Sequence, residues 1–184
     1  MPTQSKPIRD KNPLNLRPFK YPFYIGQTGL DTDGEAIFGD WVSGIRAAVM
    51  DLNLKIDSDG YNTLNTLIPV FAPSSDGNDV QSYINYVSKV TGFAPGQQLI
   101  SDDATIKSLF RAMAGMEMGY LNPSDYPQPF TDADIDLGIQ YYATNEYPYR
   151  IETAIIQTPP IDWIFFLIGC GMVARKIYLR RSKK

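Results

Sequence analysis

The sequence predicts a mainly α-helical domain (α+β) with one small β-hairpin, followed by a C-terminal transmembrane helix. Three observations predict it. Apolar residues recur at helical spacing from Trp41 to Tyr142, a short apolar pair flanks Asp33-Gly34, and an uncharged run, Trp163 to Ala174, leads into six cations. A chain of 184 residues with 43% apolar content buries one core of ordinary size, so one domain plus a tail is expected.

Met1 to Pro22 is rich in proline and cation and lacks a period, so residues 1–22 read as an arm or an irregular segment wrapped on the domain. Phe23-Tyr24-Ile25 and Ala36-Ile37-Phe38 are the expected strands of the hairpin. Asp40 caps a helix to Lys55 that carries Trp41, Ile45, Ala48, Val49 and Leu52, and Asp57-Ser58-Asp59-Gly60 ends it. A short helix from Asn62 to Ile68 should stop near Pro69, with a loop over Ala72 to Gly77. Asn78 opens the next helix, with Val80, Tyr83, Ile84, Val87 and Val90 on one stripe and Gly92 as its stop. Ser101 or Asp102 caps a helix to Met118. After an aromatic, proline-rich loop from Pro123 to Phe130, Thr131 caps a last helix with Ile135, Ile139 and Tyr142. The domain therefore spans 23–143 and a linker 144–160.

The remaining segment, 161–184, reads as a membrane anchor with a basic tail. Its 12 uncharged residues are fewer than the roughly 20 that a spanning helix needs, and runs of this length are often buried core helices. If Arg175 and Lys176 snorkel, Trp163 to Leu179 reaches roughly 25 Å at about 1.5 Å per residue. Trp163 and Tyr178 then lie at opposite interfaces, while Phe165, Phe166, Leu167 and Ile168 face lipid with no polar stripe among them. Positive charge favours the inner side, which leaves the preceding domain outside the bilayer.

Composition excludes several functions. Six of the 17 basic residues follow Ala174, leaving 11 against 20 acidic ones before it, a balance of −9. A nucleic-acid-binding domain is thereby disfavoured, and only the basic tail could meet nucleic acid or anionic lipid. With no histidine, Ser-His-Asp and Cys-His sites are ruled out; with one cysteine, Cys170, so are an intrachain disulfide and a redox pair. No cofactor is expected. Asp31-Thr32-Asp33-Gly34 and Asp57-Ser58-Asp59-Gly60 look faintly like calcium loops, but neither has an acid at the first position or a glutamate at the twelfth, so no metal site is expected and turn chemistry explains them.

Catalysis then falls to carboxylates, lysine, tyrosine or serine. At 100° per residue Ile106, Phe110, Met113 and Glu117 lie within about 60° of one another, which places Glu117 on the buried stripe of its helix. Apolar neighbours and the negative helix end both favour a retained proton, as a general acid requires. The competing reading turns Glu117 to water at a frayed end, or pairs it with a distant cation such as Arg17 or Arg46. Glu35 is a second carboxylate, but a charge beside a Gly turn is usually solvated. Tyr120, Tyr126 and Tyr142 could stack on sugar rings; tyrosines near a membrane equally suit an interface or a protein contact.

Several ordered motifs carry a resemblance. Arg9-Asp10-Lys11-Asn12-Pro13-Leu14-Asn15-Leu16-Arg17 resembles the Arg-Asn-Asn-Asn-Pro-Gly-Asn-Ile-Arg opening of phage virion-associated murein-degrading proteins with a lysozyme-like domain. Gly26-Gln27-Thr28-Gly29 with Asp33 to Phe38 is similar to that family's hairpin, Gly44-Ile45-Arg46-Ala47 to its next helix, and Ala72-Pro73-Ser74 with Asp79, Tyr83-Ile84, Val87 and Thr91-Gly92 to its loop and following helix. Arg111-Ala112-Met113 with Glu117-Met118-Gly119 resembles its closing segment. Leu14 stands where the family has glycine, Ser74-Ser75-Asp76-Gly77 departs from Pro-Ser-Glu-Asn, and Met118 replaces an asparagine. The resemblance covers residues 9–140. It implies a lysozyme-like domain that cleaves peptidoglycan as a lysozyme or lytic transglycosylase, for penetration or lysis of the host, with Glu117 as the single catalytic glutamate. The bond stays open between sugar and peptide. With the anchor, it implies a virion protein of a membrane-containing phage, lodged in the viral or host inner membrane. Its partners would be the lipid bilayer, peptidoglycan and capsid or spike proteins. The alternative is an inactive structural protein that links the viral membrane to capsid or spike.

Overall fold

The computed structural model describes residues 5–18, 23–120 and 128–144. Contacts divide the chain into two units, Met1–Pro148 and Tyr149–Lys184, and every described residue belongs to the first. Thr144, the first residue of the expected linker, closes the last described helix; the rest of that linker, the expected anchor with Trp163, Phe165, Phe166, Leu167, Ile168, Arg175 and Lys176, and Tyr126 lie outside the described residues. Among the described residues, no helix is long and apolar enough to cross a membrane.

The described part is mainly helical with one two-stranded antiparallel sheet. A short helix α1 (Lys6–Arg9) leads into a segment that the sequence left irregular. Leu14 and Leu16 are core residues, and Asn12 is buried with its amide fully used. Its Nδ2 donates to the Leu16 and Ala36 carbonyls, each at 3.0 Å, while its Oδ1 accepts from Leu16 N at 2.8 Å. A buried amide without such partners would be costly, so the Asn-Pro-Leu-Asn-Leu sequence has one way to lie. Ala36 N donates to Leu16 O and Phe38 N to Asp10 O, so this segment covers the outer edge of the second strand.

Strands β1 (Gln27–Leu30) and β2 (Ala36–Phe38) pair Gln27 with Phe38 and Leu30 with Ala36, with a bulge between Gln27 and Gly29. The first strand therefore begins after Phe23-Tyr24-Ile25, which the sequence had favoured. Gly26, at φ +82°, breaks the extended run, and the Gln27 side chain accepts from Phe23 N at 3.0 Å to close a turn. The loop between the strands is an Asx turn, in which Asp31 Oδ1 accepts from Asp33 N and Glu35 N at 2.9 and 2.8 Å.

Helix α2 (Trp41–Asn53) buries Ile45, Ala48, Val49 and Leu52, and continues as a π-helical turn over Leu54–Ser58. Its cap is Asp40, which accepts from Ser43 N at 2.8 Å and from Ser43 Oγ at 2.9 Å. Asp40→Ala should lower stability by about 1 kcal/mol, read as a shift in denaturation midpoint at unchanged slope. Helix α3 (Leu64–Phe71) starts from a Thr63/Thr66 capping box and runs through Pro69 instead of stopping there. The carbonyl that Pro69 cannot serve is that of Asn65, a residue on the exposed side of the helix. Helix α4 (Val80–Thr91) is capped by Asp79, not Asn78, and by left-handed Gly92; Val90 is 42% exposed and leaves the expected stripe.

Helix α5 (Asp103–Met118), capped by Asp102, packs against α1, α2, α4 and α6. Ile106, Leu109, Phe110 and Met113 are fully buried on it, each contributing roughly 1.5–3 kcal/mol of apolar burial. Helix α6 (Asp132–Thr144) lies on α2, where Gly138 allows close approach to Ile45. Thr131 and Asp134 cap it reciprocally, as expected. Phe130 joins Phe110 and Trp41 at ring centroid distances of 5.4 and 5.5 Å.

Candidate functional site

Glu117 is the penultimate residue of α5, half-buried, and sits in a cleft of about 420 Å³. That size falls among small-ligand sites. Four parts of the chain supply the walls: Asn15 and Arg17 from the N-terminal segment, Tyr24 and Glu35 from the hairpin region, Asp51 and Lys55 from α2 and its π turn, and Phe71 to Pro73 with Asp76 and Asn78 from the end of α3. Ile106, Phe110 and Met113, on the same stripe, are buried as expected, and Glu117 projects past their end.

Both carboxylate oxygens of Glu117 accept from neutral donors. Asn15 Nδ2 lies 3.0 Å from Oε2 and Tyr83 Oη lies 3.0 Å from Oε1. The cation pairing considered from sequence is not what the structure shows. Arg17 binds Glu35 Oε1 at 3.2 Å, and Arg46 donates to the Tyr141 carbonyl at 3.3 Å. Burial raises the Glu117 pKa above the ordinary 4.5; the two hydrogen bonds pull it back, and the charge of Glu35 adds to the rise. The net direction is upward, as a proton donor needs. Tyr83 is itself buried, and its hydroxyl is held well above its usual range by burial and by the Glu117 charge, so it remains an O–H donor.

Glu35 is not the solvated turn residue that its neighbours suggested. It is 7% exposed and lines the same cleft. Arg17 holds one of its oxygens, while the other is buried without a hydrogen bond and has Lys6 Nζ 3.8 Å away. On the opposite wall Lys55 pairs with Asp51 at 2.6 Å and sits 5.2 Å above the Phe71 ring.

Two of the tyrosines proposed for stacking, Tyr120 and Tyr142, lie elsewhere. Tyr120 follows the end of α5, with its N–H bonded to Gly115 O, and Tyr142 packs on the core from α6; neither lines the cleft. Among the described residues, the aromatic rings that do are Tyr24 and Phe71. Asn15 and Tyr83 went unrecognised in the sequence. Tyr83 carried a signal all the same, because a tyrosine on a buried stripe needs a partner for its hydroxyl. Asn15 lay between two leucines, and its left-handed backbone, φ +50°, is one that asparagine tolerates. Among the described residues no group of three or more acidic or cysteine side chains could hold a metal ion.

No family model matches the sequence. Protein P5 of Pseudoalteromonas phage PM2 is 32% identical over 134 residues, which cover 69% of this chain and 81% of P5. The chain belongs to the family of P5. The relationship supports a phage virion protein.

Proposed function

We propose that this P5 relative is a membrane-anchored virion protein whose helical domain cleaves peptidoglycan, with Glu117 as the proton donor. The observation that carries the reading is the state of Glu117. It is a carboxyl at the negative end of a helix, in a ligand-sized cleft, bonded by two neutral donors and pushed upward by burial. In the proposed step Glu117 gives its proton to the glycosidic oxygen as the C–O bond breaks. The substrate's own acetamido group then stabilises the cation, one of the exceptions to the two-carboxylate rule. Glutamine at position 117 should abolish clearing of purified murein in a gel, and mass spectrometry of a wild-type digest identifies the bond cut. Absence of clearing by the wild type at every pH and salt would favour the structural role, a link between viral membrane and capsid or spike proteins.

The uncharged run with its six following cations supports the anchor. In this arrangement the domain lies outside the viral membrane and the basic tail faces the packaged genome. The full chain should float with phospholipid vesicles, and a chain ended at residue 160 should stay at the bottom of the gradient. Equal flotation of both would remove the anchor.

A further inference from the structure

The hydroxyl of Tyr83 faces two acceptors with a single proton. Glu117 Oε1 lies 3.0 Å away and the main-chain oxygen of Met113 lies 3.4 Å away, both on α5 and one helical turn apart. Asn15 Nδ2, a donor only, binds the other oxygen, Oε2, at 3.0 Å. We infer that Tyr83 is a positioning residue whose hydroxyl alternates between Glu117 Oε1 and the Met113 carbonyl, holding the carboxyl in one orientation through loss and return of its proton. With Glu117 ionised, Tyr83 donates to Oε1. With Glu117 protonated on Oε1, that proton is donated to the Tyr83 oxygen, and the tyrosine proton turns to Met113 O. Each state leaves every polar atom of the pair bonded, so neither requires the side chain to move.

The site is built for such a device. Tyr83 is 5% exposed, and its ring is fixed in the core between α4 and α5, so the hydroxyl rotates about one bond while the oxygen stays in place. Phenylalanine keeps that packing and removes both hydrogen bonds. Among the described residues, the charged groups around Glu117 are Glu35 with its partner Arg17, the Asp51–Lys55 pair and Asp76, and the titratable neighbours are Tyr24 in the cleft and Tyr86 beside Tyr83. Tyr83→Phe leaves all of these in place. A hydrogen bond to an ionised carboxylate is stronger than one to a neutral carboxyl, so losing the tyrosine donor harms the ionised state more.

The inference rests on the proposed role of Glu117 only for its kinetic arm. Full-length protein in detergent, labelled with ¹³C at glutamate, gives the Glu117 titration directly, with Glu117→Gln used for assignment. Tyr83→Phe should move that midpoint to higher pH. The high-pH limb of murein turnover should move with it, with kcat reduced and KM unchanged. An unmoved or lowered Glu117 midpoint in a folded Tyr83→Phe protein overturns the inference. A raised midpoint in a protein that never cleaves murein supports it and removes the peptidoglycan reading instead.

Discussion

Glu117→Gln is expected to reduce murein turnover by roughly 10²- to 10⁴-fold, the contribution of a positioned general acid, while the domain stays folded. Glutamine has nearly the same shape but no acidic proton. Its amide also fits the site. The oxygen accepts from Tyr83, and the N–H meets Asn15 once that amide turns over and presents its oxygen, which is now buried without a partner. Release of reducing ends from purified murein measures the loss, and circular dichroism verifies the fold. Turnover within a few-fold of wild type would remove Glu117 from the chemistry.

The same substitution has a consequence for stability with a definite sign. Burial raises the Glu117 pKa in the folded protein above its ordinary 4.5, so between those two values the native state binds more protons than the unfolded chain. The contribution of Glu117 to stability is therefore fully present below the ordinary value and is lost as pH rises to the folded one. Glutamine has no such dependence. Urea unfolding at a series of pH values should show the variant gaining on the wild type as pH climbs above 4.5, then running parallel. A gap that narrows over that range would mean the hydrogen bonds from Asn15 and Tyr83 outweigh burial.

The helices were legible because their determinants are local. Asp40, Asp102 and Thr131 each cap the helix that follows, and the apolar spacing of Ile45, Val49 and Leu52 or of Ile106, Phe110 and Met113 meets the core as read. Glu117 was legible for the same reason, since its position follows from the phase of α5. Its partners were not. Asn15 lies 102 residues away in sequence and Tyr83 lies 34, and no periodicity links an asparagine in an aperiodic segment to a helix end. Glu35 was misjudged because proximity to Gly34 suggests a solvated turn, whereas the N-terminal segment crosses β2 and brings Arg17 over it. Helix α3 outran Pro69 at a position where the residue left without its helical donor, Asn65, is exposed, a matter of tertiary placement that the proline itself does not encode. The aromatic rings were hard to place because 12 tyrosines make clusters common; among the described residues the cleft is lined by Tyr24 and Phe71, which lie far from Tyr120 and Tyr142 in sequence.

Gly44→Ala should be the most destabilising small substitution in the described fold, costing about 3 kcal/mol or more, above the usual range for added bulk in a packed site. A Cβ there would run into the main-chain carbonyl of Lys11, with Pro13 Cδ only 3.1 Å away. The obstruction is backbone, and it has little room to yield. Lys11 already sits at φ +50°, and the next residue, Asn12, is fixed by its three hydrogen bonds to Leu16 and Ala36. Moving the segment off α2 would also withdraw Asn15 from Glu117, so murein turnover should fall with stability. Gly29→Ala is the control, because its Cβ would meet only Ile37 Cδ1 at an ordinary 3.7 Å. For a domain of this size the melting temperature of Gly44→Ala should fall by about 6–12 °C while that of the control barely changes. A drop no larger than the control's would mean that the segment from Lys11 to Arg17 does not seat on α2. The stretch Arg9–Arg17 and the stretch Gly44–Ala47, which read as separate motifs in the sequence, meet at this contact. The glycine is required because the first motif crosses the second there, and that crossing delivers Asn15 to the carboxylate.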